Sequence, residues 1–105
     1  MAAEAEAESG GPNAENYLNQ VRARAYGDNS HDYTAAEGDI LEVIYTERRK
    51  ELAGEGHRFY DLVRTNKAAS TIEGFQVNKN EVFPIPLIEL QLAKAQERWG
   101  QNPGY

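Results

Sequence analysis

The sequence predicts an all-α chain in which a helix pair is followed by an extended, proline-containing C-terminal segment with a short helix. Apolar residues recur at three- and four-residue steps in two stretches, Tyr17 to Ala25 and Ile40 to Val63, the spacing that lines one face of a helix. A helix-start signal, Thr34-Ala35-Ala36-Glu37, stands before the second stretch. The run Phe83-Pro84-Ile85-Pro86 cannot be helical, because each proline lacks an amide donor and pushes the residue before it towards extended backbone.

Residues 1–12 alternate Ala with Glu and then run Ser9-Gly10-Gly11-Pro12. That composition suits a helix but supplies nothing large and apolar to bury, so a disordered tail is expected there, with a single partial domain over residues 13–105. Asn13 is placed to cap the first helix, Tyr17, Leu18, Val21 and Ala25 form its apolar face, and Gly27 stops it. The turn formers Asp28-Asn29-Ser30-His31-Asp32 lead to Thr34, whose hydroxyl and the Glu37 carboxylate form a reciprocal capping box. From Thr34 a long amphipathic helix is expected to run to Arg64, with Ile40, Leu41, Ile44, Leu52, Phe59, Leu62 and Val63 as its stripe. Gly54 and Gly56 interrupt that stripe, each at a cost of about 1 kcal/mol relative to Ala. They mark either a close approach by a neighbouring backbone or a break between two shorter helices. Residues 66–74 read as a polar connector and 75–82 as an extended loop. Ile88 to Trp99 has helical composition, with Leu92, Ala95 and Trp99 near one face, and Gln101-Asn102-Pro103-Gly104-Tyr105 closes in a turn.

With 105 residues the chain can bury one small core at most. A mean hydropathy of −0.73 and a charged fraction of 27% leave it polar for that length. Of the net charge of −6, four units come from Glu4, Glu6, Glu8 and Glu15, which precede the first cation, Arg22, so the remainder carries −2. No basic stripe displaces counterions from phosphates, and Arg48-Arg49-Lys50 is flanked by Glu on both sides, which argues against a nucleic-acid partner. The absence of cysteine removes disulfides, thiolate nucleophiles and Cys-containing zinc sites. The first residues lack the basic and apolar regions of a secretory signal, and no transmembrane segment is expected, since no apolar run is long enough to span a bilayer.

The chemistry-like stretch is Glu47 to Arg64. Helical spacing stacks Glu47, Glu51 and Glu55 at four-residue steps, with Arg48, Arg58, Asp61 and Arg64 offering opposite charges close by. A paired-carboxylate acid and base is one reading of that pattern. A solvated face or a structural ion-pair network is the other, and it is the one adopted for these seven residues. No metal or other cofactor is expected: His57 follows Glu55 by two residues instead of the three that di-iron helices use, and His31 lies in a loop. Ser9, Ser30 and Ser70 have no nucleophile-elbow glycines around them, and there is no glycine-rich phosphate loop. Among the aromatics, Phe59 lies on the stripe and reads as core, Tyr60 is open to either role, and Trp99 and Tyr105 read as anchors of the C-terminal segment.

Four blocks, in order, are Tyr17-Leu18-Asn19-Gln20-Val21-Arg22-x-Arg24-Ala25, the Glu47-Arg48 to Asp61-Leu62-x-Arg64 run, Phe83-Pro84-Ile85-Pro86 and Gln101-Asn102-Pro103-Gly104-Tyr105. Together they resemble the closing region of the SusD/RagB family of nutrient-uptake outer-membrane proteins, over about Ala14 to Tyr105. The resemblance implies helix pairs of tetratricopeptide type, with the Glu47–Arg64 helix against the Tyr17–Ala25 helix. It implies a surface-exposed lipoprotein of the Bacteroidota outer membrane that captures glycan or another nutrient and works with a SusC-like TonB-dependent transporter, without catalysis. It assigns no ligand-binding residue. On this reading the chain is expected to be a C-terminal fragment of such a protein. The alternative is a small stand-alone helical hairpin that presents its stripe to a partner protein.

Overall fold

The computed structural model describes residues 1–92 and 100–105. Its regular elements are helical, and no strand occurs among the described residues. The helices are α1 (Ala2–Ser9), α2 (Ala14–Tyr26), α3 (Ile40–Glu51), α4 (Arg58–Arg64), α5 (Ala68–Thr71) and α6 (Leu87–Leu92), with a 3₁₀ turn at Ala35–Glu37 before α3. The chain divides into two units, Met1–Arg58 and Phe59–Tyr105. The part of the expected Ile88–Trp99 helix that holds Ala95 and Trp99 lies outside the described residues.

In the first unit, α2 has the boundaries that local signals predict. Asn13 stands at the N-cap position, but its side chain makes no capping bond and donates to Glu6 instead, whereas Gly27 ends the helix at φ 84°, its amide donating to Ala23. Leu18 on α2 and Ile44 on α3 meet Ala14 and Ala3 to form the core, and Tyr17, Tyr33, Ile40 and Val43 pack around it. Of the Glu47–Arg64 helix expected against α2, only the Glu47–Glu51 turn belongs to α3, which pairs with α2; the rest lies beyond the end of α3.

Residues 1–12 are not the disordered tail that their composition suggested. Ala and Glu are strong helix formers, and Ala3 and Ala7 stand four residues apart, so their methyl groups fall on one side of α1. Small side chains let that side sit against α2 and α3, where Ala3 and Glu4 are buried. Gly10 closes α1 in left-handed backbone at φ 72°: the Gly11 amide donates to Glu6 at 2.8 Å and the Gly10 amide to Ala7 at 3.3 Å. Side chains add two ties, Asn13 Nδ2 to Glu6 Oε1 at 3.2 Å and the Tyr45 hydroxyl to Glu8 Oε1 at 2.6 Å.

The single long helix expected from Thr34 to Arg64 is instead three pieces. The capping box exists, but it starts the 3₁₀ turn; Gly38 at φ 97° and Asp39 in extended backbone then reset the chain before α3. After Glu51 come turns through Gly54 and Gly56, at φ 84° and 79°, values that end helical hydrogen bonding. No atom lies within 4 Å of where a Cβ would stand at either glycine, so these residues break the helix and do not admit a close neighbour.

In the second unit, α4, α5 and α6 bury Leu62, Ala68 and Leu90 respectively. Asn66, at φ 57°, ends α4: the Lys67 amide donates to Leu62 at 2.8 Å and the Asn66 amide to Val63 at 3.1 Å. This is the role glycine usually fills, and Asn is the residue that best tolerates the same backbone. The short helix α5 falls inside the stretch read as a polar connector, and 75–82 forms turns. The Phe83–Pro86 segment is non-helical as expected, and side chains bond its backbone. The Ile85 amide donates to Gln101 Oε1 at 2.6 Å, and Gln101 Nε2 returns a bond to the Ile85 carbonyl at 2.8 Å. Asn102 Nδ2 donates to the Phe83 carbonyl at 2.6 Å and the Tyr105 hydroxyl to that of Val82 at 3.1 Å.

Gly54→Ala tests the break. The methyl group meets nothing, so backbone strain alone should lower stability by about 1 kcal/mol. Urea denaturation followed by circular dichroism measures it. A neutral or stabilising outcome would mean that the turn is not held in left-handed backbone.

Candidate functional site

One arginine organises the first unit. Arg22 lies four residues after Leu18 on α2, which puts a guanidinium on the helix's inward side. It is 7% exposed, as is Glu47 on α3. A guanidinium has five N–H donors and no means of losing its charge, so burial requires partners. Arg22 Nε donates to Glu47 Oε2 at 3.2 Å. Its Nη1 donates to Glu37 Oε1 at 2.9 Å and to the His31 carbonyl at 3.1 Å, and Nη2 reaches Glu37 Oε2 at 2.9 Å. The Arg22–Glu37 contact is thus bidentate, the strongest geometry for this pair. Glu37 Oε1 also accepts the Thr34 amide at 3.1 Å, so one carboxylate serves both the capping box and the buried arginine.

The electrostatics follow from those contacts. Hydrogen bonds from Arg22, then from the Thr34 amide, hold the Glu37 carboxyl below its ordinary pKa of 4.5. Hydrogen bonding to Glu37 raises Arg22 above its already high value, against the opposing effect of burial. Two bonds from the Tyr33 region close the ring: its amide donates to Asn19 Oδ1 at 2.7 Å and its hydroxyl to the Gly38 carbonyl at 2.6 Å. The 28–38 connection is therefore pinned to α2 at several points.

The seven charged residues singled out in the sequence are distributed around this cluster and beyond it. Glu47 faces Arg22 and also Lys50 at 3.4 Å. Arg48 reaches back to Glu4 on α1 at 3.9 Å and touches the Met1 sulfur. Glu51 pairs with Arg24 of α2. Glu55 lies past the end of α3, 3.8 Å from His57, so the four-step ladder Glu47, Glu51, Glu55 does not exist as a helical face. Arg58 is exposed at the start of α4 and meets no carboxylate among the described residues; Asp61 pairs instead with Arg64 at 2.9 Å. Arg22 and Glu37, the centre of the network, were read from the sequence only as a motif letter and a cap. The available signal was Arg22's position one helical turn after Leu18, on the stripe.

Three side chains of the connection superficially suggest nucleophilic chemistry. The Ser30 hydroxyl lies 2.5 Å from Asp28 Oδ1 and 2.8 Å from His31 Nδ1. Activation of a serine requires the histidine between hydroxyl and carboxylate. Here the hydroxyl is in the middle, and His31 is stacked on Tyr26 with ring centroids 3.8 Å apart. The arrangement locks a loop; bonds from Ser30 also keep the Asp28 carboxyl below its usual range. Among the described residues no group of three His, Cys, Asp or Glu is placed to hold a metal ion, and no helix is long and apolar enough to cross a membrane.

A comparison with protein families matches the chain to the SusD family over residues 1–82. The chain belongs to the SusD family. The matched range includes α1 and every member of the Arg22 cluster, and it stops before the Phe83–Pro86 and Gln101–Tyr105 blocks. SusD-like protein P25 of Formosa agariphila is 39% identical over 105 residues, covering 88% of this chain and 20% of that protein. SusD-like protein P2 of the same organism is 33% identical over 122 residues, covering all of this chain and 24% of that protein. The chain thus spans a fifth to a quarter of the length of these SusD-like relatives. No solved structure matches it significantly.

Two outcomes follow for the cluster. Arg22→Met leaves the buried Glu47 with only the half-exposed Lys50 as a cation, and breaking the buried pair in this way should cost about 3 kcal/mol, read as a lower urea midpoint. Arg58→Ala, at an exposed position that meets no carboxylate among the described residues, should stay within about 0.5 kcal/mol of the parent. Acid should act through Glu37. Its folded pKa is depressed, so its contribution is fully present above its ordinary value of 4.5 and is lost as pH falls through the lower folded value. Urea midpoints measured across that window should fall less steeply in Glu37→Gln than in the parent.

Proposed function

We propose that this chain is the C-terminal part of a SusD-like nutrient-binding protein of the outer membrane, and that the part described here is architecture without catalytic groups. In the complete protein the ligand is a glycan or another nutrient, and a SusC-like TonB-dependent transporter takes it across the membrane. The protein is held at the cell surface as a lipoprotein.

The observation that carries this reading is family membership combined with the state of the conspicuous charges. The central ones bond to one another across α1, α2, α3 and the 3₁₀ turn, as a scaffold requires. The 20% to 24% of each relative that the chain spans supports its being a part of a longer protein, and the sequence blocks that resemble the closing region of the family support that part being C-terminal.

Affinity purification of the native protein from detergent-extracted membranes of the source organism, with antibodies raised against this chain, tests the proposal. The expected result is a polypeptide about four to five times as long as the chain, by the coverage of its relatives, in the outer-membrane fraction and with a TonB-dependent transporter bound. Recovery of an 11.7 kDa species on a different protein partner, without a transporter, would favour the stand-alone helical hairpin instead.

A further inference from the structure

Among the described residues, the second unit exposes more large apolar side chains than it buries. Its buried hydrophobic residues are Leu62, Ala68 and Leu90, whereas Phe83 is 86% exposed, Leu87 and Ile88 each 61%, and Leu92 76%. Helix α6 makes the imbalance plain. Leu90 turns inward, Ile88 and Leu92 stand four residues apart on the other side, and Leu87 adjoins them. Glu89 and Gln91 also lie on this short helix, so it is not apolar all round, but a cluster of exposed apolar residues in a short stretch marks a surface that something covers. By contrast, the first unit's exposed large hydrophobics are Met1 and Tyr26.

We infer that Phe83, Leu87, Ile88 and Leu92 form a docking face for the remainder of the SusD-family polypeptide, covered by apolar surface from the larger part that the relatives carry outside the aligned segment. The inference rests on the C-terminal reading above. Two observations select that occupant. The relatives devote 76% to 80% of their length to sequence beyond the match, which follows from coverages of 24% and 20%. The alignment with SusD-like protein P2 takes in the whole of this chain, so the exposed segment lies within the region shared with a protein four times as long. Glu89, next to Ile88, is the one charge on α6 among the described residues, so little on the helix opposes apolar contact.

Carbene footprinting read by mass spectrometry tests this on two samples: the 105-residue chain alone, and the native protein purified from membranes. In the isolated chain all four residues should label strongly. In the native protein their labelling should fall about tenfold, the change from these exposures to those of core residues. A native protein of four to five times the chain's length that labels at these residues as the isolated chain does would overturn the docking face and leave the C-terminal reading intact. A native species of 11.7 kDa would overturn both, whether the face is open or closed by a second copy. In the isolated chain, Ile88→Gln with Leu92→Gln should leave the unfolding midpoint unchanged; a marked drop would mean that the face is already buried within the chain, which also overturns the inference.

Discussion

A guanidinium removed from water admits few structures. Arg22 can neither discharge nor turn away, and it draws Glu47 from α3, Glu37 from the 3₁₀ turn and the His31 carbonyl from the connection to one point on α2. These partners lie 25, 15 and 9 residues along the chain, so satisfying one side chain fixes the relation of three segments. Buried ion pairs add little net stability, since desolvation offsets much of the attraction. Their effect is on alternatives: any packing that separates α2 from α3 by one ladder step leaves a buried charge unmatched. The apolar core of Leu18, Ile44 and small alanines is permissive about register, and the Arg22 cluster is not.

What could be read in the sequence was what is decided locally. Gly27 ends α2 because a left-handed glycine acts through neighbouring residues alone, and the capping box at Thr34 was legible for the same reason; Asn13 holds the N-cap position, but its side chain turns to Glu6 on another helix. The continuation from Thr34 to Arg64 was misread where two local signals compete. The apolar stripe runs past Gly54 and Gly56 at helical spacing, but backbone at positive φ ends a helix whatever the stripe does. Periodicity finds one buried apolar residue in each helix, Ile44 in α3 and Leu62 in α4, but not the break between them, and Phe59, read as core, is 37% exposed.

The charges show the opposite limit. Glu47 and Glu51 stand four residues apart with Arg48 three before Glu51, and from sequence they look like one charged face of a single helix. In the fold each turns to another element, Arg22, Glu4 and Arg24 respectively, because α1 and α2 lie alongside α3 and bring opposite charges nearer than the helix's own turns do. The same neighbourhood explains α1. Its alanines have too little surface to announce a core position, yet small residues are what allow a third helix to approach the α2–α3 pair, and Glu4 gains a cation by doing so.

The second unit is held by different means. Prolines at 84 and 86 take backbone donors out of the Phe83–Pro86 segment, and the carbonyls that remain accept from side-chain amides and a phenol. The Gln101 amide acts as a surrogate strand residue, donating to and accepting from Ile85, and it fixes an extended conformation without a sheet. Such bonds set shape but bury little area, and area is what supplies most of the free energy of folding. A segment shaped by hydrogen bonds while Phe83, Leu87, Ile88 and Leu92 stay in water has its conformation specified and its hydrophobic stabilisation still outstanding. That division is what a surface prepared to meet a larger body requires, and it is why the apolar residues of this unit bear on the chain's role more directly than its charges do.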